Sequence, residues 1–337
     1  MANHDIIVVG ASAGGVEVLM RLVGGLPADL AAAVFVVLHT QPQGPSLLPT
    51  LLSRSGPLPA CHPSDGDPIR HGKIYVAPPD HHLLVAAGVV RVVRGPKENR
   101  HRPAVDPLFR TAALTYGPQA VGVVLTGALD DGTAGLQAVQ VCGGITVVQD
   151  PQEALYPSMP QNALNNVAVD HCLPVAEIAP LLARLAHDPA PARGDYPVPA
   201  TLRLEAQIAD FEQGPLDTEQ VPGTPSPYAC PECHGVLWEL RDGNLLRFRC
   251  RVGHAYSGQS MLAEHAESLE DSLWAALRAL EESAALARRL SGAAQRNNRP
   301  HSAAQFQGKA AEREHHAAQI REILLKSGAD DTMKTTA

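Results

Sequence analysis

Short runs of apolar, mostly β-branched residues recur through roughly the first 185 residues of the chain. They do not alternate with polar residues, which is the pattern of parallel strands buried on both faces of a sheet. The runs lie at 6–9, 34–38, 73–77, 120–125 and 144–148. Stretches with helical periodicity separate them, at 16–23, 107–116 and 133–141. This alternation predicts an α/β fold, a doubly wound, mostly parallel sheet with helices on both faces.

The pattern changes after residue 188. Prolines recur through 189–227 and predict a linker, with a short helix near 202–211. Beyond a compact Cys/His segment, leucines three, four or seven residues apart predict a long helix. An Asn-Asn-Arg-Pro sequence at 297–300 interrupts it, so two helices are expected to form an antiparallel hairpin. The predicted division is an α/β domain at 1–188, a linker at 189–227, a Cys/His module at 228–257, a helical hairpin at 258–327 and a disordered tail at 328–337.

Charge and composition exclude several kinds of partner. The formal net charge of -8 argues against nucleic acid, because binding to phosphates needs a basic face. No stretch reaches the length of about 20 apolar residues that a transmembrane helix needs. The first residues lack a basic region and a cleavage site, so they are read as the approach to a strand and not as a signal peptide. We expect a cytoplasmic protein with free thiols and one metal site, because three of its six cysteines cluster.

The first strand runs directly into a serine motif. Residues 6–15 read IIVVGASAGG, a strand followed by Gly-x-Ser-x-Gly and the start of a helix. The glycines permit a sharp turn that exposes Ser12 above the strand end, and the N–H of Ala13 is then placed to stabilise an oxyanion. A phosphate- or dinucleotide-binding glycine loop is the alternative, since it also follows a first strand. Ser12 stands where such a loop has its second glycine, but this motif alone leaves both readings open.

Two further strand ends carry the residues that a serine nucleophile needs. The strand at 34–38 ends on His39, and residues 123–135 read VVLTGALDDGTAG, a strand followed by an acidic turn. Because carboxyl ends of parallel strands share one crevice, His39 is the candidate base for Ser12. Asp131 is the candidate acceptor of the His39 Nδ1–H. Each residue alone has an ordinary explanation, such as an aspartate that caps the next helix. Together they predict a Ser–His–Asp triad.

The Cys/His segment has the spacing of a metal site. Cys230 and Cys233 form a Cys-x2-Cys pair, and Cys250 and His254 form a Cys-x3-His pair. Four such ligands suit a closed, tetrahedral, structural zinc site, and so short a segment needs a metal to fold. A redox Cys-x2-Cys is the alternative, and His234 is a competing ligand. We therefore predict a small zinc-ribbon-like module, with no cofactor needed for catalysis.

Five motifs in order resemble one known family. They are GASAGG at 10–15, LH at 38–39, IYVAPPD at 74–80, RPAVD at 102–106, and LTG with a following DG at 125–132. They are similar to the catalytic domain of the bacterial chemotaxis protein-glutamate methylesterase (CheB) family over about residues 4–185. The resemblance implies an enzyme that removes methyl esters from glutamates of chemoreceptors and can deamidate receptor glutamines.

The resemblance also assigns roles to residues. It implies that Ser12 is the nucleophile, His39 the base and Asp131 the orienting acid. Arg102 lies within a matched motif, and Met159 belongs to a Met-Pro pair similar to one near the family's site. Both are candidates for lining the cleft, with structural support as the alternative role.

The chain departs from the family pattern in two places. Family members read TGMGxDG where this chain has TGALDDG, so Leu129 stands in place of a glycine. If that glycine has φ above zero, the loop must be rebuilt around Leu129. Chemotactic members also carry a receiver domain before the catalytic domain. This sequence starts at the first catalytic strand, so we expect a stand-alone form without control by phosphorylation in cis.

Three functions remain in competition at this stage. The leading hypothesis is a serine carboxylic ester hydrolase acting on a methylated, chemoreceptor-like protein. The second is a catalytically altered regulatory or scaffolding relative that binds a signalling partner through its C-terminal module and hairpin. The third is a nucleotide-binding domain that uses the loop at 10–15.

Overall fold

The computed structural model describes residues 3–44, 46–192, 194, 198–210, 223–242 and 245–334. It consists of two compact units, Met1–Met261 and Leu262–Ala337. All strands of the described residues lie in the first unit. Its first nine strands are β1 (Ile6–Ala11), β2 (Ala33–Leu38), β3 (Ala60–Cys61), β4 (Lys73–Val76), β5 (His82–Ala86), β6 (Val89–Val93), β7 (Ala120–Val124), β8 (Ile145–Gln149) and β9 (His171–Leu173).

Seven of these strands form one parallel sheet in the order β3-β4-β2-β1-β7-β8-β9. β5 and β6 pair separately as an antiparallel hairpin. The mostly parallel sheet predicted from the sequence is therefore present. Its two edge strands, β3 and β9, were not predicted, because two or three residues carry no recognisable pattern. The order reverses at β1, whose neighbours are β2 and β7, so the carboxyl ends of these three strands lie side by side.

Helices cover both faces of this sheet. They are α1 (Gly15–Gly24), α2 (Leu48–Ser55), α3 (Val105–Tyr116), α4 (Thr133–Val141), α5 (Ser158–Asn166) and α6 (Val175–Leu185), with a 3-10 turn at Gly117–Gln119. Alternate residues of β1 point into two separate cores. Ile7 and Val9 pack with α1, α2 and α6, whereas Ile6 and Val8 pack with α3, α4 and α5. A Cβ on Gly10 would lie 2.3 Å from Val105, so glycine lets the start of α3 approach the end of β1 closely.

A second sheet and a short helix complete the first unit. The helix is α7 (Ala200–Asp210), and the strands are β10 (Thr224–Ala229), β11 (Val236–Asp242), β12 (Leu245–Cys250) and β13 (Ala255–Ser257). The four strands are antiparallel in sequence order. The predicted linker at 189–227 thus contains α7 and the start of β10. Its residues 193, 195–197 and 211–222 lie outside the described part of the chain.

A buried cluster of charges joins the second sheet to the first part of the chain. Glu205 on α7 accepts hydrogen bonds from Arg247 (2.9 Å) and Arg249 (2.9 Å) on β12. Glu98 accepts from Arg249 (3.1 Å) and from Arg110 of α3 (2.7 Å). Burial alone would raise the pKa of Glu205, but the three guanidinium charges outweigh it and hold that pKa well below its usual range. Arg247 and Arg249 are thus buried in ion pairs whose acidic partners lie far away in sequence.

The second unit is helical. α8 (Gly258–Arg296) enters it from the first unit, and α9 (Pro300–Lys334) returns. Ion pairs of Arg288 with Glu314 (2.6 Å) and of Arg321 with Glu281 give the two helices an antiparallel arrangement. The predicted tail at 328–337 is helical as far as Lys334, since the single Gly328 does not end α9, and 335–337 lie outside the described residues. No helix in the described ranges is both long and apolar enough to cross a membrane.

The buried charge cluster predicts a large stability effect. Glu205→Ala would leave Arg247 and Arg249 without their shared carboxylate, and unpaired buried charge is strongly unfavourable. We expect the free energy of unfolding in urea to fall by about 3–5 kcal/mol. Glu239→Ala is the matched control, because Glu239 pairs with the exposed Arg241, and it should cost at most about 1 kcal/mol. Equal losses in the two variants would contradict this account.

Candidate active site

Ser12 lies immediately after β1, at the point where the chain turns into α1. Its N–H donates to the carbonyl of Thr126 (3.0 Å), and its carbonyl accepts from Gly15 N–H (2.9 Å). Gly14 has φ 70°, a left-handed conformation that glycine adopts without strain and that ends the turn. The side chain of Ser12 is half-buried at the carboxyl edge of the sheet.

His39 follows β2 and brings its ring to Ser12. Its Nδ1 lies 3.0 Å from Ser12 Oγ, and its Nε2 lies 2.7 Å from Asp131 Oδ2. The expectation that Nδ1–H faces the aspartate is therefore wrong. Nδ1 faces Ser12, and Nε2 faces Asp131. The reason is that β1 and β2 are neighbours and His39 N–H donates to Ala11 O (3.2 Å). The ring atom nearest the main chain, Nδ1, consequently meets Ser12, and the far atom reaches Asp131.

Asp131 is buried and surrounded by hydrogen-bond donors. Oδ2 accepts from His39 and from Val105 N–H (2.7 Å) at the start of α3. Oδ1 accepts from Asn99 Nδ2 (2.9 Å), Gly132 N–H (3.0 Å) and Asp106 N–H (3.3 Å). Burial by itself would raise the pKa of Asp131, but the hydrogen bonds and the nearby His39 hold it well below its usual range. The carboxylate is thus ionised at neutral pH and can stabilise a His39 imidazolium.

The turn at 98–101 supplies two residues that the sequence analysis did not assign to the site. Glu98 and His101 exchange main-chain hydrogen bonds, and the central residues Asn99 and Arg100 have φ of 48° and 74°. Asn99 reaches Asp131, as described above. His101 stacks on His39, with ring centroids 3.6 Å apart and an angle of 12° between the planes. Burial, and next the charge of His39, lower the pKa of His101 to about 3, so a neutral imidazole covers one face of the His39 ring.

Asp106 braces the loop that carries Asp131. Its Oδ1 accepts from Gly135 N–H (2.7 Å) and Gly132 N–H (3.0 Å), and its Oδ2 accepts from Asn99 Nδ2 (2.8 Å). Burial, together with the neighbouring Asp131 carboxylate, raises the pKa of Asp106 to about 8.

The remaining predicted site residues divide into two groups. Ala13 N–H has no acceptor in the described part of the chain, as a donor reserved for an oxyanion requires. Met159 is fully buried behind the site, and a Cβ on Gly127 would lie only 2.0 Å from its sulfur. Arg102 is engaged elsewhere: its guanidinium donates to Asp80 Oδ1 (2.6 Å) and to Gly95 O (2.7 Å). Met159 and Arg102 therefore support the site rather than present polar atoms to a ligand.

Leu129 keeps the backbone conformation of a glycine. Its φ is 61°, so the loop is not rebuilt as the sequence suggested but retains a left-handed residue. A branched side chain in this region is strained. Asn162 holds the Leu129 carbonyl through its Nδ2 (2.9 Å), and Gln259 donates to Asn162 Oδ1 (2.8 Å). These contacts fix a conformation that the residue itself disfavours.

A cluster of four ligand atoms lies in the second sheet. Cys230, Cys233, Cys250 and His254 place their donor atoms within 4.8 Å of one another. His254 Nδ1 is 3.7 Å from Cys230 Sγ and 3.5 Å from Cys250 Sγ, and Cys233 Sγ is 3.7 Å from Cys250 Sγ. Bonds of about 2.3 Å in a tetrahedron place ligand atoms about 3.8 Å apart, so the spacing fits a zinc ion. The competing ligand His234 is exposed and does not belong to this cluster.

The fold and the site define a class of α/β proteins in which serine, histidine and aspartate meet at the carboxyl edge of a parallel sheet. Within this class, the profile of the CheB methylesterase family matches residues 7–182, more than half of the chain. The chain therefore belongs to the CheB methylesterase family, and it carries that family's methylesterase domain. The resemblance predicted from the five sequence motifs is confirmed.

Named relatives agree with this assignment. The chain is 37% identical over 184 residues to protein-glutamate methylesterase/protein-glutamine glutaminase 2 of Anaeromyxobacter dehalogenans, covering 55% of this chain and 54% of that protein. It is 34% identical over 184 residues to a putative protein-glutamate methylesterase/protein-glutamine glutaminase of Leptospira interrogans, covering 54% of this chain and 95% of that protein. The chain thus spans about half the length of the first relative.

A solved structure is similar to the same part of the chain. The crystal structure of the Thermotoga maritima CheB methylesterase catalytic domain has 31% sequence identity and a TM-score of 0.52. The match covers 55% of this chain and 99% of that domain. The family profile ends at residue 182, before the Cys/His module and the helical hairpin.

The strained loop predicts a stabilising substitution. Leu129→Gly should raise the free energy of unfolding by about 1 kcal/mol, because glycine adopts positive φ without a steric cost. Ala128→Gly, at the neighbouring exposed position, should give no such gain, since Ala128 has no positive φ to relieve. Both values come from urea unfolding curves. A loss of stability in Leu129→Gly would show that the side chain contributes more than the backbone strain removes.

Proposed function

We propose that this protein hydrolyses glutamyl methyl esters with Ser12 as nucleophile, His39 as general base and Asp131 as the acid that orients the ring. The single observation that carries the proposal is the unbroken chain from Ser12 Oγ through both His39 nitrogens to Asp131, with contacts of 3.0 and 2.7 Å. In the tautomer that suits a base, Ser12 Oγ–H donates to Nδ1 and Nε2–H donates to Asp131.

The reaction has two halves. Ser12 Oγ attacks the ester carbonyl carbon while His39 Nδ1 takes the hydroxyl proton, and Ala13 N–H donates to the oxyanion. His39 returns the proton to the methoxy oxygen, the C–O bond breaks, and methanol leaves an acyl-enzyme. Water then attacks the acyl carbon while His39 takes its proton and gives it to Ser12 Oγ. The bond between the acyl carbon and Oγ breaks, and the glutamate side chain of the protein substrate is released. Asp131 stays ionised throughout and stabilises the imidazolium.

The proposed substrate is a methylated, chemoreceptor-like protein. The names of the relatives support this, since they describe both a methylesterase and a glutaminase. Deamidation follows the same route, with ammonia in place of methanol. A cleft of about 300 Å³ is lined by Leu38 and Thr40, the chain neighbours of His39, and by Pro79 among others, but by no residue of the proposed triad.

A catalytically altered relative is the weaker candidate. The departure from the family motif at Ala128 and Leu129 is the argument for it. Against it, Leu129 has a left-handed backbone, and Asp131 lies within hydrogen-bond distance of His39. A nucleotide-binding role is disfavoured as well, because the Ser12 hydroxyl at the centre of the glycine loop is engaged by His39. The helical hairpin remains our candidate surface for a signalling partner, since Leu269 and Trp274 are exposed on it.

For the Cys/His cluster we propose a structural zinc ion. Four protein ligands close the coordination sphere, so the metal stabilises the fold and takes no part in ester hydrolysis. Thiolate ligands also fit a reducing compartment, and a cytoplasmic location is part of this proposal.

The methylesterase proposal predicts loss of turnover without its nucleophile. Ser12→Ala should lower the rate of methanol release from methylated receptor by roughly ten-thousandfold or more. Ser272→Ala, which removes an exposed serine on α8, should match wild type. Methanol is measured by coupled oxidation. Equal rates in wild type and Ser12→Ala would refute the proposal.

The zinc proposal predicts a defined metal content. Purified protein should contain about one zinc ion per chain, as measured by inductively coupled plasma mass spectrometry. Cys233→Ser should lose most of it and melt at a lower temperature, because metal binding contributes to folding. Cys172→Ser is the control, since that exposed cysteine lies outside the cluster. Wild-type protein that has no metal after expression in zinc-supplemented medium would contradict the assignment.

A further inference from the structure

The chain passes from β13 into α8 at residues that contact Asn99 and Asp130. We name residues 257–260 the ribbon exit. Ser257 N–H donates to Asn99 Oδ1 (2.8 Å), and Ser260 Oγ lies 3.1 Å from the same oxygen. The one hydroxyl proton of Ser260 also has Ser257 Oγ (2.9 Å) and Ser257 O (3.2 Å) within reach. The Asn99 side chain is buried, and the Ser257 N–H, which can only donate, sets its amide orientation.

The amide nitrogen of Asn99 faces the opposite way. With its oxygen occupied by the ribbon exit, Nδ2 directs one hydrogen to Asp131 Oδ1 (2.9 Å) and the other to Asp106 Oδ2 (2.8 Å). A rotated amide would place its oxygen against the ionised Asp131 carboxylate and its NH2 against the Ser257 N–H. The ribbon exit therefore selects the one orientation in which Asn99 stabilises the Asp131 carboxylate.

The ribbon exit also holds the loop that precedes Asp131. Ser257 Oγ–H donates to Asp130 Oδ1 (2.5 Å) and accepts from Ser260 N–H (3.0 Å). Gln259 holds Asn162, which in turn holds the carbonyl of Leu129. The ribbon exit thus contacts Asp130 directly, Leu129 through Asn162, and Asp131 through Asn99.

The second sheet cannot shift without breaking buried contacts. Asn99 N–H donates to Ala255 O (2.8 Å), which joins β13 to the turn at 98–101. Arg249, one residue before the ligand Cys250, pairs with Glu98 (3.1 Å). The metal-ligand end of the sheet and the triad therefore belong to one continuous set of contacts.

We propose that Asn99 is a positioning residue for Asp131 and that the ribbon exit, through Ser260 and Ser257, holds Asn99 in its working orientation. The Cys/His module then contributes to the positioning of Asp131 through the ribbon exit. This inference rests on the proposed methylesterase function.

A double-mutant cycle tests this chain of contacts. Asn99→Ala should lower kcat by roughly a hundredfold with KM nearly unchanged, because Asn99 orients a catalytic group and does not touch substrate. Ser260→Ala should lower kcat roughly three- to tenfold, since Ser257 N–H still holds the amide. The double variant should equal Asn99→Ala within about twofold, because Ser260 acts only through Asn99. Ser272→Ala is the control for loss of a serine hydroxyl.

Additive losses in the cycle, or unchanged kcat in both single variants, would overturn the proposal. A readout independent of the substrate separates it from the esterase proposal. The low-field proton resonance of His39 Nε2–H, assigned by its absence in His39→Ala, should shift in Asn99→Ala and Ser260→Ala but not in Ser272→Ala. If wild type releases no methanol, the esterase proposal fails. If the resonance is unchanged in Asn99→Ala and Ser260→Ala, the positioning role is refuted. Circular dichroism confirms that each variant is folded.

Discussion

One buried carboxylate organises the centre of this protein. Asp131 lies away from water, and a buried charge is tolerated only where hydrogen bonds replace its hydration. Three parts of the chain supply those bonds: His39 after β2, the first N–H groups of α3, and Asn99 from the turn at 98–101. Gly10 lets α3 approach β1 closely, which brings the first N–H groups of α3 to the carboxylate. The second sheet is attached at the turn that carries Asn99.

The fold and the residue types of the site could be read from the sequence, because both depend on local patterns. Apolar runs located the central strands, and strand ends located Ser12, His39 and Asp131. The ring orientation of His39 could not be read, since it depends on the spacing of β1 and β2. Asn99 and His101 were missed for a similar reason. Their one local signal is the polar run Asn-Arg-His before the matched motif at 102–106, and a run of that kind is ordinary in loops.

Long-range ion pairing also escaped the sequence. The carboxylate partners of Arg247 and Arg249 are Glu98 and Glu205, which lie far away in the chain. Leu129 illustrates the same limit, because its strained backbone is held by Asn162, which itself depends on Gln259. The departure from the family motif and the C-terminal addition thus meet at one loop.

The central claim is that Ser12 is activated by His39 within a single relay. The most direct measurement is the reaction of the protein with a fluorophosphonate, which labels an activated serine hydroxyl, followed by mass spectrometry of the digested chain. The account predicts one adduct, on the peptide that contains Ser12, and a labelling rate lower by orders of magnitude in His39→Ala. An adduct on another serine, or an equal rate of Ser12 labelling in His39→Ala, would contradict it.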